Sequence, residues 1–165
     1  VIDLLKEGLP DSPKGRTSFA LLGFCSDEGV RRNQGRVGAK EGPLALRKAL
    51  RNKCFHNFND VELYDCGDVV CNGGDLEGVQ KLLGEKVAII LEKGHFPILL
   101  GGGHSISWGH YQGLEKAKSC DSLGVINIDA HYDLRPLLEG GKGSSGTPFL
   151  QIAERRKEQK KPFHY

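Results

Sequence analysis

The sequence predicts an α/β fold in three layers, with a mainly parallel sheet held between helices. Three observations carry that prediction. Apolar runs alternate with helical patterns in the order β-α-β-α, which is the signature of a layered α/β architecture. The strand candidates are near-continuous apolar runs without clean alternation, as in parallel strands buried on both faces. The 165 residues, 38% hydrophobic and 27% charged, have ordinary globular composition and suit one domain or a large part of one.

The elements follow in order. "TSFALLGFC" (Thr17–Cys25) is apolar and aromatic and stops at polar "SDEG", so it reads as a buried strand. "GPLALRKALRN" places Pro43 in a first helical turn, with Leu44, Leu46, Ala49 and Leu50 apolar, and reads as a short helix. "DVELYDCGDVV" is a second strand. "DLEGVQKLLGEKVAIILEKGH" carries Leu76, Val79, Leu82, Leu83, Val87, Ile90 and Leu91 at three- and four-residue steps, with Gly94 as the stop; it is the clearest amphipathic helix. "FPILLGGG" is a third strand, "SISWGHYQGLEKAK" a helix, and "SLGVINIDA" (122–130) a fourth strand. Glycine-rich "GGKGSSG" (140–146) reads as a loop that is mobile or shaped to lie close to a ligand.

Bulk properties exclude several functions. A formal net charge of +2, from 23 basic and 21 acidic residues, gives no warrant for a nucleic-acid partner. The basic segment "ERRKEQKKP" (Glu154–Pro162) also holds glutamates and reads as a solvated helix face. No apolar run approaches the ~18 residues that span a bilayer, and "VAIILEKGHFPILLGGG" is broken by Glu92, Lys93, His95 and Pro97. The first residues lack a basic region leading into a long apolar one, so no signal peptide is expected. Cys25, Cys54, Cys66, Cys71 and Cys120 are odd in number and contain no CxxC, which points to free thiols in a reducing, cytoplasmic setting.

Chemistry concentrates at two strand ends. "LLGGGHSIS" closes the third strand with His104, and "NIDAHYDLRP" closes the fourth with Asp129, His131 and Asp133. In open α/β sheets, ligands gather beyond the carboxyl ends of the strands. On a strand, Asp129 and His131 would share a face about 6.6 Å apart, and Asp133 would lie about 13 Å from Asp129. The backbone must therefore turn near Ala130–Tyr132 for all three to converge. Imidazole with carboxylates and no thiolate suits Mn²⁺, Fe²⁺ or a catalytic Zn²⁺ rather than a structural zinc knot. Buried carboxylates also call for a compensating charge.

"GGGHS" followed by "DAHYD" resembles the ureohydrolase (arginase/agmatinase) superfamily. "GFCSDEGVRRNQGRVGAKEGPLALRKAL", "NIDAHYDLRP" and "SSGTPFLQI" are similar to its formimidoylglutamase branch, over a span from about Thr17 to Ala153. The resemblance implies an arginase-like fold and a binuclear Mn²⁺ centre with His104, Asp129, His131 and Asp133 as ligands. It implies catalytic roles for Asp133, which accepts and passes on a proton, and for His131. A bridging hydroxide would attack the amidine carbon of N-formimidoyl-L-glutamate and release formamide and L-glutamate. Arginases hold Asn at the position of Arg135; an arginine there suits a dianionic substrate, although a surface ion pair would equally account for it. Ser144, Ser145 and Thr147 fall in the family's substrate loop, and Asn33 and Arg36 reach the site from the loop after the first strand.

The family supplies further ligands from a later SxDxDxxDP-type motif, which residues 134–165 do not contain. The expectation is that residues 1–165 are the incomplete N-terminal portion of one arginase-like domain, unstable and inactive alone because a sheet edge and apolar surface are exposed. Two other readings are carried: an agmatinase- or guanidinobutyrase-like ureohydrolase, against which the lack of His in "SSGTPF" weighs, and a truncated pseudoenzyme or regulatory protein. The expected partner is a small-molecule substrate, with no nucleic acid and no membrane; whether the chain forms a homo-oligomer is left open.

Overall fold

The computed structural model describes residues 8–53, 60–119 and 121–165. Among these, β1 (Thr17–Cys25) is the central strand of a parallel sheet of order β2-β1-β3, with β2 at Val61–Val70 and β3 at Phe96–Leu100. The helices are α1 (Glu28–Arg32), α2 (Gly42–Leu50), α3 (Leu76–Glu92), α4 (Ile106–Lys116) and α5 (Pro148–Glu158), with short 3-10 turns at Ala39–Glu41 and Glu139–Gly141. The three predicted strands through Leu100 and the helices at 42–50, 76–92 and 106–116 lie where the pattern places them.

Burial explains the continuous apolar runs. Ala20, Leu22 and Phe24 of β1 are fully buried on one face, in the same core as Val79, Leu83, Val87 and Ile90 of α3. Asp75 caps α3 by accepting the Gly78 N–H at 2.9 Å, and Gly94 at φ +82° ends it. The opposite face meets α2 at Pro43, which is buried. Leu44, Leu46 and Leu50 nevertheless stay about half exposed, so the second helical layer covers its face only in part. The β1–β2 register shifts between Leu21 and Gly23, and Gly67 at φ +76° takes up the extra residue. Arg47 locks that bulge with hydrogen bonds to Asp65, Asp68 and the Gly67 carbonyl.

A smaller core forms where Tyr111 of α4 meets Phe149 and Ile152 of α5. The basic segment Glu154–Pro162 is mostly exposed, as expected of a solvated face, with Arg156 as the exception. Arg156 is buried, and its guanidinium donates to the carbonyls of Pro162 and Asp121, while Arg155 pairs with Glu115 at 2.9 Å.

The fourth strand is not formed. Residues 122–130 run as irregular chain with a single bridge, Gly124 to His164, and Ile126 and Ile128 are 91% and 97% exposed. A strand exists only as part of a ladder, and this segment pairs with no strand among the described residues. The β propensity of Val125–Ile128 is therefore unspent. Cys25 and Cys71 are free thiols, and Cys66 is buried in the core; Cys54 and Cys120 lie outside the described residues. No helix among the described residues is long and apolar enough to cross a membrane.

Candidate metal centre

The parallel sheet brings the ends of β1, β2 and β3 to one side, so the loops beginning at Ser26, Cys71 and Gly101 share a rim. The Gly103 N–H donates to the Ser26 carbonyl at 2.9 Å, which binds the His104 turn to the end of β1. From there His104 projects toward the 129–133 segment, its ring edge-on to Phe149 at 5.3 Å.

Asp129 and Asp133 converge on His104. The His104 Nδ1 lies 2.5 Å from Asp133 Oδ2 and 3.5 Å from Asp129 Oδ2, and one ligand atom from each of the three residues falls within 4.8 Å of the others. The turn that convergence demands is present: the chain bends through 129–131, and Asp133 sits in the left-handed region at φ +49°, a conformation Asp tolerates better than most residues. The Asp129 carboxylate accepts the His131 N–H at 2.8 Å. Asn127 donates to the His131 carbonyl and to the Tyr165 hydroxyl, which donates in turn to the Tyr132 carbonyl.

Electrostatics fit a cation at this point. The His104 Nδ1 is buried without a hydrogen-bond partner, although a carboxylate oxygen is 2.5 Å away. An imidazole lone pair facing two carboxylates is repulsive unless a proton or a cation lies between them. The backbone N–H of His131, with the rings of His104 and His131 adding to it, holds the Asp129 carboxyl below the usual carboxylate range, so it stands ready as an anionic donor. His131 stays at the edge: its Nδ1 is 3.5 Å from Asp129 Oδ1, its side chain is 74% exposed, and it lies outside the three-residue cluster. A cleft of about 470 Å³ runs along Asn127, Asp129–Tyr132 and Tyr165 beside it.

The expected substrate residues divide. Arg135 Nη1 donates to Asn33 Oδ1 at 3.1 Å, and the Arg135 N–H donates to the Gly146 carbonyl at 2.9 Å. A Cβ on Gly146 would fall 2.9 Å from Arg135 Cδ, so a side chain there would displace the Arg135 side chain. Ser145 is bound to α1, the helix that follows β1, through its N–H and the Gly29 carbonyl, at 2.9 Å. Ser144 and Thr147 are buried, and their hydroxyls are used inside the loop, on Gly146 N–H, Ser144 N–H and Gln151. Arg36 is exposed and is not brought to this group by any hydrogen bond among the described residues.

Sequence reasoning missed a further set behind that loop. Glu28, Arg31, Arg32 and Glu77 form an ion-pair network in contact with Gly74 and Gly143. The i,i+3 and i,i+4 spacing of Glu28 to the two arginines was the available signal, but the partner Glu77 is 45 residues away from Arg32 and visible only in the fold.

The chain is similar to known proteins in sequence and in fold. The Arginase family model matches residues 17–165. A formimidoylglutamase of Aeromonas salmonicida is 49% identical over 157 residues, covering 94% of this chain and 49% of its own length. Another, from Chromobacterium violaceum, is 50% identical over 147 residues, covering 89% and 45%. The crystal structure of Trypanosoma cruzi formiminoglutamase with Mn²⁺ superposes with a TM-score of 0.75 at 36% identity, covering 93% of this chain and 52% of that one. The chain thus spans about half the length of the curated relatives it matches. With the family model extending over residues 17–165, this chain belongs to the arginase family.

Proposed function

We propose that these residues serve an Mn²⁺-dependent formimidoylglutamase, which hydrolyses N-formimidoyl-L-glutamate to L-glutamate and formamide in the cytoplasm. The observation that carries the reading is the His104–Asp129–Asp133 cluster with its orphaned imidazole nitrogen, in a chain close to half identical to proteins of that name. Mn²⁺ fits the oxygen-rich donor set and accompanies the formiminoglutamase structure of Trypanosoma cruzi.

In this reading His104, Asp129 and Asp133 hold the metal, and His131 adds an imidazole from the rim. Once bound, the ions supply Lewis acidity that prepares water for attack near neutral pH. Asp133 takes the proton released by the attacking water at its carboxylate and delivers it to the glutamate nitrogen as the C–N bond breaks. Arg135, oriented by Asn33, pairs with a carboxylate of the substrate through its planar fork. Ser145 and Arg36 remain available to the substrate, while Ser144 and Thr147 act by shaping the loop. The remaining ligands belong to a longer protein in this proposal, of which these residues are the N-terminal portion.

The test is formamide release by the full chain with Mn²⁺. Asp129→Ala and His131→Ala are each expected to abolish it, and a wild-type rate in either variant defeats the ligand assignment. Sequencing the transcript decides completeness: an in-frame continuation with an SxDxD motif removes the pseudoenzyme reading.

A further inference from the structure

The network behind the substrate loop has a geometry that a surface ion pair does not need. A guanidinium carries five N–H donors, and Arg32 spends its donors across five bonds that reach several loops. Its Nε donates to Glu28 at 2.9 Å; its Nη1 to Glu77 at 2.6 Å and the Gly143 carbonyl at 3.0 Å; its Nη2 to Glu77 at 3.0 Å and the Gly74 carbonyl at 3.1 Å. Glu77 completes the grip by accepting the Gly143 N–H at 3.2 Å, so both polar backbone groups of Gly143 are held by one ion pair. The Arg32 side chain is only 11% exposed.

Gly143 opens the segment that sets the substrate residues. Three positions on, the Gly146 carbonyl accepts the Arg135 N–H, and the Gly146 Cα lies against Arg135 and Asn33. Arg135 is two residues from Asp133 of the metal cluster. A shift at Gly143 is therefore passed through Gly146 to Arg135, the guanidinium proposed to meet the substrate carboxylate, while the side chains of the cluster make no hydrogen bond to residues 143–146. We infer that Arg32 and Glu77 are positioning residues: their ion pair fixes the 143–146 loop, and through it the place where Arg135 meets a substrate carboxylate. The inference rests on the proposed role of Arg135. Lysine cannot replace Arg32 in this task, because an ammonium is a point charge without the fork.

The experiment uses the full chain with Mn²⁺ and compares Arg32→Lys and Glu77→Ala with wild type. Amide hydrogen exchange at Gly143–Gly146 is expected to rise about tenfold in both variants while amides of β1 and α3 keep their protection. KM for formimidoylglutamate is expected to rise about tenfold with kcat within about threefold, and KM for an N-alkylformamidine lacking carboxylates to stay unchanged. Unchanged loop exchange, or equal losses on both amidines, overturns the inference. If wild type hydrolyses neither amidine, the proposed function fails, and the exchange measurement alone still decides whether the pair fixes the loop.

Discussion

His104 and Arg135 show how single residues divide the work. The imidazole packs edge-on against Phe149, yet its buried Nδ1 faces two carboxylates, an arrangement that is favourable when a proton or a cation lies between them. Arg135 is different, since Asn33 accepts from one of its side-chain donors and no other side-chain hydrogen bond of it is found among the described residues, which leaves it able to recognise an anion. Arg135→Ala is accordingly expected to raise KM for formimidoylglutamate by about 10² with a smaller change in kcat, because a charge-assisted pair made in the ground state contributes uniform binding. Steady-state kinetics on the full chain check this. An unchanged KM removes the carboxylate role from Arg135.

The elements explain what the sequence disclosed and what it withheld. β1, β2, β3 and α3 are legible because each carries its own periodicity, and the position of His104 just beyond the end of β3 follows from them. The 122–130 segment was misread because its apolar pattern is genuine, whereas the ladder that would make it a strand depends on a neighbour in space. The α1–α3 ion pairs were hidden for the same reason, and they lend the junction a pH dependence. Hydrogen bonding to Arg31 holds the Glu28 carboxyl below its usual range, and Arg32 does the same for Glu77. A depressed carboxyl pKa contributes stability that is complete above the unfolded value, about 4.3 for Glu, and is lost as pH falls through the folded value. The thermal midpoint is therefore expected to fall steeply below about pH 4.3 in wild type and more shallowly in Glu28→Gln, as followed by circular dichroism. Identical acid profiles remove the network from the stability of this rim.

At the scale of the molecule, the unspent strand and the half-covered sheet face have one consequence. β3 pairs only with β1, so its other edge is open among the described residues, and Ile126, Ile128 and Tyr132 stand exposed near the His104–Asp129–Asp133 group. An extended, uncharged apolar segment near an open edge is a template for pairing with another chain. The 165 residues produced alone are expected to self-associate, with the sedimentation coefficient rising with concentration and an apolar dye binding strongly. Ile126→Lys with Ile128→Lys places charge on the exposed positions only, where it disturbs no packed neighbour, and is expected to return the chain to a monomer with its far-ultraviolet spectrum intact. A wild-type chain that sediments as a monomer at all concentrations shows instead that the exposed isoleucines are tolerated. Association that survives the double substitution moves the sticky surface to the α2 face, where Leu44, Leu46 and Leu50 are the next residues to change.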